Sequence, residues 1–128
     1  MGDVLLDAAR SVQANAYAPY SGYSVGAALE ADDGRVFVGA NVENASYGLT
    51  ICAERTAIAQ AASHGVRLVR RIVVVTSSEP PAPPCGACRQ VLLEFGPDAT
   101  VESVGPRSRK TWRMRELLPD AFGREQLR

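Results

Sequence analysis

The sequence predicts an α/β protein, a three-layer α/β/α sandwich in which helices cover both faces of a mixed, roughly five-stranded sheet. Segments with apolar residues at helical spacing alternate along the chain with short β-branched segments, and this order implies a sheet covered on both faces. The dipeptide Asp33-Gly34 is a strong hairpin signal, so the first two strands are expected to be antiparallel, whereas helices join the later ones. We expect residues 1–128 to form a single domain, because the chain shows neither repeats nor an internal boundary.

The N-terminal part of the chain predicts one helix followed by the hairpin. Apolar residues recur at helical spacing over residues 3–17, and Pro19 with the Tyr-Ser-Gly turn after it ends this helix. Residues 24–31 and 35–43 flank the hairpin dipeptide and predict its two strands. A loop over residues 44–50 follows.

The C-terminal part predicts two more helices with a buried strand between them. Residues 53–64 are rich in alanine and are followed by a glycine, a typical helix stop. The β-branched run within residues 68–76 indicates a strand buried on both faces. Four prolines within residues 77–84 require an extended loop. The remaining expected elements are a helix over 85–95, strands over 100–104 and 111–114, and a helical turn over 115–118.

The composition is that of an ordinary globular protein, with 46% hydrophobic and 22% charged residues. Fourteen basic residues balance fourteen acidic ones, so no net field draws the chain to nucleic acid or to a membrane surface. Apolar runs are short and we find no signal peptide, so we expect no membrane span and a cytoplasmic location. Three cysteines cannot form a closed disulfide set, and metal or catalytic duty suits a reducing compartment.

All three cysteines lie at or near predicted helix starts. Cys52 precedes the second helix, and Cys85 and Cys88 are one turn apart at the start of the third. Helix N-termini lower thiol pKa values and favour the thiolate, the form that binds zinc. Three thiolates leave the fourth tetrahedral position open, which is the catalytic arrangement. Glu54, two residues after Cys52, is placed to move protons there.

Two arginines, Arg55 and Arg89, lie close in sequence to the cysteines. Three thiolates around Zn²⁺ leave a net charge of about −1, and we expect these arginines and the helix dipoles to offset it. We further expect Arg55 to hydrogen-bond a ligand sulfur, as groups around a metal site often do.

A redox pair and a closed structural zinc site are the alternatives to a catalytic zinc. A redox role for the Cys-x-x-Cys pair leaves Cys52 and Glu54 without a purpose. A closed site needs a fourth ligand, and the one histidine, His64, lies at the far end of the second helix, roughly 18 Å from Cys52 at about 1.5 Å per residue. We therefore expect His64 to be an exposed residue near a helix C-terminus.

Two motifs carry a family resemblance, Cys52-Ala53-Glu54 and Pro84-Cys85-Gly86-Ala87-Cys88. They match the pattern of the zinc nucleobase deaminases, with cysteine in the histidine position. In this all-cysteine form the chain resembles the small homotetrameric cytidine deaminases. The likeness covers nearly the whole chain through Tyr20-Ser21, Val25-Gly26-Ala27-Ala28, Asn41-Val42-Glu43-Asn44-Ala45 and Leu117-Leu118-Pro119-Asp120-Ala121-Phe122.

The resemblance implies a hydrolase that deaminates cytidine and 2′-deoxycytidine to uridine and 2′-deoxyuridine with release of ammonia, as part of pyrimidine salvage. It assigns one Zn²⁺ per chain to Cys52, Cys85 and Cys88, with water in the fourth place, and the proton transfers to Glu54. The implied fold is the cytidine deaminase-like sandwich. The implied assembly is a homotetramer whose active sites are shared between subunits.

The resemblance also implies the substrate contacts. Asn41 and Glu43, two apart on a predicted strand and therefore on one face, would bind the ribose hydroxyls, and Ala53 is expected among the substrate contacts. Tyr23 stands where similar sequences often carry Phe as an aromatic wall for the pyrimidine. Phe122 resembles the aromatic that reaches into a neighbouring subunit's site. From the residues alone, both aromatics would be interpreted as core and the Asn-x-Glu pair as a solvated strand end.

Three other functions remain as alternatives. Five basic residues around Trp112, within residues 107–115, are a feature of proteins that bind single-stranded nucleic acid. We interpret them as a solvated strand face, because they alternate with apolar residues in a chain of zero net charge. Deaminases of cytosine-nucleoside analogues, such as the blasticidin type, share the metal motifs. A binding protein without turnover is disfavoured, because Glu54 and all three ligands are present.

Overall fold

The computed structural model describes residues 3–127. Within this range the strands are β1 (Gly26–Ala31), β2 (Val36–Ala40), β3 (Val69–Val75), β4 (Thr100–Val104) and β5 (Arg109–Arg113). The α-helices are α1 (Val4–Gln13), α2 (Ala53–Ser63), α3 (Gly86–Phe95) and α4 (Met114–Leu117), with 3₁₀ turns at Tyr47–Leu49 and Arg124–Leu127. No helix in the described range is long and apolar enough to cross a membrane.

The strands form one mixed five-stranded sheet in the order β2-β1-β3-β4-β5. β1 pairs antiparallel with both β2 and β3, and β5 pairs antiparallel with β4. β3 and β4 are parallel, which is possible because α3 provides the long crossover that parallel neighbours need. The predicted hairpin and the predicted mixed sheet are therefore confirmed.

Alternate residues of β3 enter two separate hydrophobic cores, one on each face of the sheet. Val73 and Val75 pack with Leu5 and Ala9 of α1. Ile72 and Val74 pack on the opposite face with residues of α2 and α3, among them Ala57, Ile58 and Leu92. Burial on both faces explains why the sequence of β3 contains a continuous apolar run. The two cores confirm the three-layer prediction.

The predicted ends of two elements are wrong, and the same contact explains both. α1 ends at Gln13 rather than near Tyr17, and β2 ends at Ala40 rather than near Glu43. Tyr17 instead forms a parallel bridge with Val42, and Val42 also bridges to Ile51. These bridges end the regular elements early and bring the segment before α2 beside the end of β2.

β2 and β5 are the two edges of the sheet. On β2, the N–H of Val38 donates to the side-chain oxygen of Gln60 from α2, at 3.1 Å. On β5, Arg109, Lys110 and Arg113 are all exposed.

A glycine allows α2 to lie directly on β2. A Cβ atom at Gly39 would be 2.4 Å from the backbone nitrogen of Ala57 and 2.7 Å from the carbonyl oxygen of Ala53, distances that real Cβ atoms do not adopt. The first turn of α2 is therefore fixed against the sheet without an intervening side chain. Because Cys52 immediately precedes that turn, Gly39 also fixes the height of Cys52 above the sheet.

Replacing Gly39 with alanine should displace α2. We expect Gly39→Ala to lower the free energy of unfolding by about 1–3 kcal/mol, the usual cost of overpacking, as measured by urea unfolding. Gly48→Ala is the matched control, since a Cβ at Gly48 meets no atom within 4 Å. Equal stability of the two variants would contradict this account of the α2–β2 contact.

Candidate metal centre

The three cysteine sulfurs meet where two helices begin. Cys52 is the N-cap residue of α2, Cys85 is the N-cap residue of α3, and Cys88 lies in the first turn of α3. All three sulfurs lie within 4.8 Å of one another, and those of Cys52 and Cys85 are 3.8 Å apart. The structure thus brings together the three cysteines that the sequence predicts as metal ligands.

The geometry fits a tetrahedral ion held by thiolates. Two sulfurs that each lie about 2.3 Å from a tetrahedral zinc are about 3.8 Å apart, which matches the Cys52–Cys85 separation. All three cysteines are free thiols, so no disulfide competes for the sulfurs. His64 is exposed and its Nδ1 contacts the carbonyl of Gln60 at 2.8 Å, as expected for a residue outside the cluster. The sulfurs therefore form a three-ligand set, the composition of a catalytic site.

Hydrogen bonding within the cluster separates the proton affinities of its thiols. A hydrogen bond from Cys88, supported by one from Arg55, lowers the pKa of the Cys52 thiol to about 5. The same Cys52–Cys88 bond, together with burial, raises the pKa of Cys88. Nη2 of Arg55 lies 3.7 Å from the Cys52 sulfur. The cluster thus favours the thiolate form of Cys52 even without a bound cation.

Arg89 hydrogen-bonds two backbone carbonyls. Its Nε donates to the carbonyl of Pro84 and its Nη1 to the carbonyl of Leu117, both at 2.8 Å. Both partners are backbone oxygens, so this guanidinium holds the chain before Cys85 against α4. The expectation that the positive charge of Arg89 offsets the charge of the sulfurs stays a prediction.

Glu54 is a buried carboxylic acid beside the sulfurs. It lies in the first turn of α2 and only 6% of its surface is exposed. Burial is the main reason that the pKa of Glu54 rises to about 7, and the nearby charge of Cys52 adds to it. A group with a pKa near neutrality can both accept and donate protons at physiological pH.

A cleft of about 200 Å³ opens over this cluster. Its wall includes six of the residues that the sequence predicts as site residues: Tyr23, Asn41, Cys52, Ala53, Glu54 and Cys85. Thr76 also lines it, and the sequence analysis missed this buried residue. The signal that was available is its position at the end of the predicted strand, next to the proline-rich loop, because loop residues at such ends commonly form binding sites. Another cleft, beside the C-terminal tail, contains none of the sulfurs.

Asn41 and Glu43 do not share a face of β2, because the strand ends before them. Asn41 is buried in the cleft wall, where its Oδ1 accepts from the N–H of Val25 and its Nδ2 donates to the carbonyl of Tyr23, both at 2.8 Å. Glu43 lies in an adjoining cleft together with Tyr20 and Ser21. Thr50 lines both clefts, so the two predicted ribose contacts lie in adjoining clefts.

The carboxylate of Glu43 is oriented by the turn before β1. It accepts from the N–H of Tyr20 at 2.9 Å, from the N–H of Ser21 at 3.2 Å and from the Ser21 hydroxyl. The Ser21 hydroxyl bond is the main reason that the pKa of Glu43 is lowered. Glu43 is consequently a fixed anionic acceptor at the rim of the site.

The two predicted substrate aromatics occupy different surroundings. Tyr23 is half-buried and lines the cleft. Phe122 is 60% exposed and lies outside that cleft, with its carbonyl accepting from Nε2 of Gln90 at 2.9 Å. Its predicted place in a neighbouring subunit's site stays a prediction.

The basic segment runs from the turn before the edge strand β5, along that strand, into α4, and several of its charges are paired. Arg109 contacts Asp3 at 3.1 Å and Glu102 at 2.6 Å. Arg115 pairs with Asp98 at 3.0 Å. Lys110 lies 5.4 Å from the centre of the Trp112 ring. An edge strand with these charges fits the solvated-face interpretation better than a nucleic-acid groove.

Comparison with known proteins places this site in a family. The model of the cytidine and deoxycytidylate deaminase zinc-binding region matches residues 3–103, a span that contains the three cysteines. A cytidine deaminase of Halalkalibacterium halodurans is 48% identical over 126 residues, covering 97% of this chain and 96% of that protein. One from Mycobacterium tuberculosis strain H37Rv is 45% identical over 119 residues, covering 93% of this chain and 87% of the relative.

Solved structures agree with these sequence matches. The crystal structure of cytidine deaminase from Burkholderia pseudomallei has a TM-score of 0.91 and 47% identity, covering 95% of this chain and 100% of that one. The Mycobacterium tuberculosis structure has a TM-score of 0.82 and 44% identity, covering 94% and 95% of the two chains. Fold, cysteine cluster and sequence thus lead to one assignment, and the chain belongs to the cytidine and deoxycytidylate deaminase family.

Proposed function

We propose that this protein hydrolytically deaminates cytidine and 2′-deoxycytidine to uridine and 2′-deoxyuridine, with release of ammonia. The observation that carries the proposal is the opening of a single cleft over two of the clustered thiols and the buried carboxylate of Glu54. The relatives named above are cytidine deaminases, which supports the choice of nucleoside.

We further propose that residues 1–128 form one domain and that the reaction serves pyrimidine salvage in the cytoplasm, where free thiols persist. Cell fractionation, and growth of a pyrimidine-requiring strain on cytidine, test location and salvage.

Cys52, Cys85 and Cys88 would hold the zinc ion that the family's zinc-binding region implies. When bound, zinc supplies Lewis acidity and lowers the pKa of a water molecule toward neutrality. Arg55 stabilises the thiolate form of the cluster from the protein side, because its Nη2 lies 3.7 Å from the Cys52 sulfur.

Glu54 moves the protons of the reaction. It takes the first proton from the attacking water and delivers it to N3 of the pyrimidine, and it then takes the remaining proton from the hydroxyl group at C4 and delivers it to the departing amine. Its burial and its pKa of about 7 allow it to act in both directions near neutral pH. Asn41, in the cleft wall, and Glu43, at its rim, bind the ribose hydroxyls, for which carboxylate and amide oxygens are suitable acceptors.

The direct test of the function is an absorbance assay on cytidine with purified protein. We expect turnover that a strong chelator abolishes and added Zn²⁺ restores.

Glu54→Gln should retain stoichiometric zinc and the wild-type fold while losing at least about 10²-fold in kcat, the scale of general acid–base catalysis. Substantial turnover by that variant would remove Glu54 from its role. Faster release of ammonia from a cytosine-containing oligonucleotide than from cytidine would support the polynucleotide alternative.

Removing the arginine charge should weaken the metal centre. Arg55→Gln replaces the guanidinium with a shorter, uncharged amide, and we expect about a 10- to 100-fold loss in zinc affinity or turnover. Zinc competition with a chromophoric chelator measures the affinity. Lys110→Gln, on the exposed edge strand, is the matched control for loss of one positive charge. Unchanged affinity and unchanged kcat in Arg55→Gln would contradict the proposed role.

Removing the rim carboxylate should affect binding more than chemistry. We expect Glu43→Ala to raise KM for cytidine about tenfold, because a charged hydrogen bond to the sugar is lost, with little change in kcat. Glu94→Ala removes an exposed carboxylate of α3 and serves as the control. Thermal unfolding of both variants checks that the turn bound by Glu43 remains intact. A lower kcat at unchanged KM would contradict the assignment.

An exposed apolar surface adjoins the cleft, and we propose that it forms part of a homotetramer interface. The isolated bridges and the Tyr20–Tyr47 ring contact place its members together. Exposed apolar surface grouped in this way marks interaction sites. This surface consists of Tyr17, Tyr20, Val42, Tyr47, Leu49 and Ile51, which are each at least 42% exposed.

Sharing of active sites between subunits can be tested by complementation. We propose that Phe122 completes a neighbouring subunit's cleft, which is supported by its exposure and its position outside its own cleft. Phe122→Ala should lower kcat/KM about tenfold, the scale of a lost aromatic contact. Mixed assemblies of Phe122→Ala and Glu54→Gln subunits should then be more active than the sum of the two, because intact Phe122 and intact Glu54 meet in some sites. Absence of this gain, or the mass of a single chain in sedimentation, would refute shared sites, and a mass of two or three chains would refute the homotetramer.

A further inference from the structure

Tyr23 is held at three points around the cleft. Its backbone N–H donates to Oγ of Ser21 at 3.0 Å, and its carbonyl accepts from Nδ2 of Asn41 at 2.8 Å. Its hydroxyl shares a hydrogen bond with the hydroxyl of Ser78, a residue 55 positions away. The first two contacts fix the backbone, and the third alone fixes the far end of the ring.

Ser78 is itself anchored, so it can serve as a fixed point. Its N–H donates to Oγ1 of Thr76 at 3.3 Å. Its carbonyl packs so closely on Gly105 that a Cβ there would be 2.4 Å from the oxygen. The next residue, Glu79, binds the turn between β4 and β5 through its carboxylate. A hydrogen bond to Ser78 therefore connects Tyr23 to the body of the sheet.

The segment that contains Ser78 also leads to the sulfurs. It runs from the end of β3 to Cys85, and Ser103 Oγ donates to the carbonyl of Ala82 within it at 2.7 Å. Tyr23, Ala82 and Cys85 all line the same cleft. The Tyr23–Ser78 bond thus joins two parts of the cleft wall that come from distant parts of the chain.

We infer that Ser78 is a positioning residue for substrate binding, because its hydroxyl fixes the ring of Tyr23 as a wall of the nucleoside cleft. The inference rests on the proposed function. Because the Tyr23 hydroxyl is hydrogen-bonded to Ser78, the ring of Tyr23, and not its hydroxyl, contacts the pyrimidine base. A ring fixed before binding loses less rotational freedom when the substrate arrives, and this lowers KM. A phenylalanine at this position cannot form the hydrogen bond to Ser78, so this positioning of the ring depends on the tyrosine of this chain.

A double-mutant cycle on the zinc-loaded protein tests the inference. Tyr23→Phe and Ser78→Ala should each raise KM for cytidine about three- to tenfold, the effect of one lost hydrogen bond, with kcat little changed. The double variant should be no worse than either single variant, because both remove the same interaction. Ser77→Ala, which removes a hydroxyl from the exposed neighbouring position, should behave like the unsubstituted protein.

Each of the following results would overturn the inference. An increase in KM for Tyr23→Phe with none for Ser78→Ala would mean that the tyrosine hydroxyl contacts the substrate directly. Effects that multiply in the double variant would mean that the two hydroxyls act independently. Thermal unfolding is followed for every variant, and Ser78→Thr, which keeps the hydroxyl, should retain a normal KM if Ser78→Ala proves unstable. An elevated KM in a stably folded Ser78→Thr also counts against the inference.

The outcome is separable from that of the proposed function. Failure of the proposed function appears as absent cytidine turnover in the unsubstituted, zinc-loaded protein. Failure of the positioning role appears as normal turnover with unchanged KM in Tyr23→Phe and Ser78→Ala.

Discussion

The N-termini of α2 and α3 converge on the same three sulfurs, and the rest of the structure is arranged around that convergence. Each N-terminus carries the equivalent of about half a positive charge. Together they offset about one unit of charge, which is the surplus that three thiolates leave around a divalent cation. Both helices must then lie on one face of the sheet, and α1 covers the other. The electrostatics of the site thus favour the shared face of α2 and α3, and burial of apolar surface holds α1 on the opposite face.

The fold class could be predicted because its signals are local. The β-branched run of β3, the hairpin dipeptide and the helical spacing of α1 each report structure within a few residues. The ends of α1 and β2 could not be predicted, because the bridges of Val42 to Tyr17 and Ile51 decide them. Those bridges join segments 25 and 9 positions apart, and no local pattern reports such pairing.

The site residues also fall into a group that the sequence could predict and a group that it could not. Cys52, Cys85, Cys88 and Glu54 belong to two short motifs whose spacing already implies a common purpose, and the structure brings them together. Arg89 lies next to a ligand in sequence, yet it binds backbone carbonyls, because a long side chain can turn toward either end of its helix. Thr76 and Ser78 follow β3 in an irregular segment, so their partners depend on which loops meet there, which sequence spacing does not report.

The two edges of the sheet have a further consequence for behaviour at high concentration. An open edge presents unpaired backbone groups that can recruit a strand from another molecule. At the β2 edge, the side-chain oxygen of Gln60 accepts a hydrogen bond from the Val38 N–H. At the β5 edge, basic side chains line the strand. Like charges would face each other if two β5 edges approached. Fibre-like stacking of molecules through these two edges is therefore disfavoured.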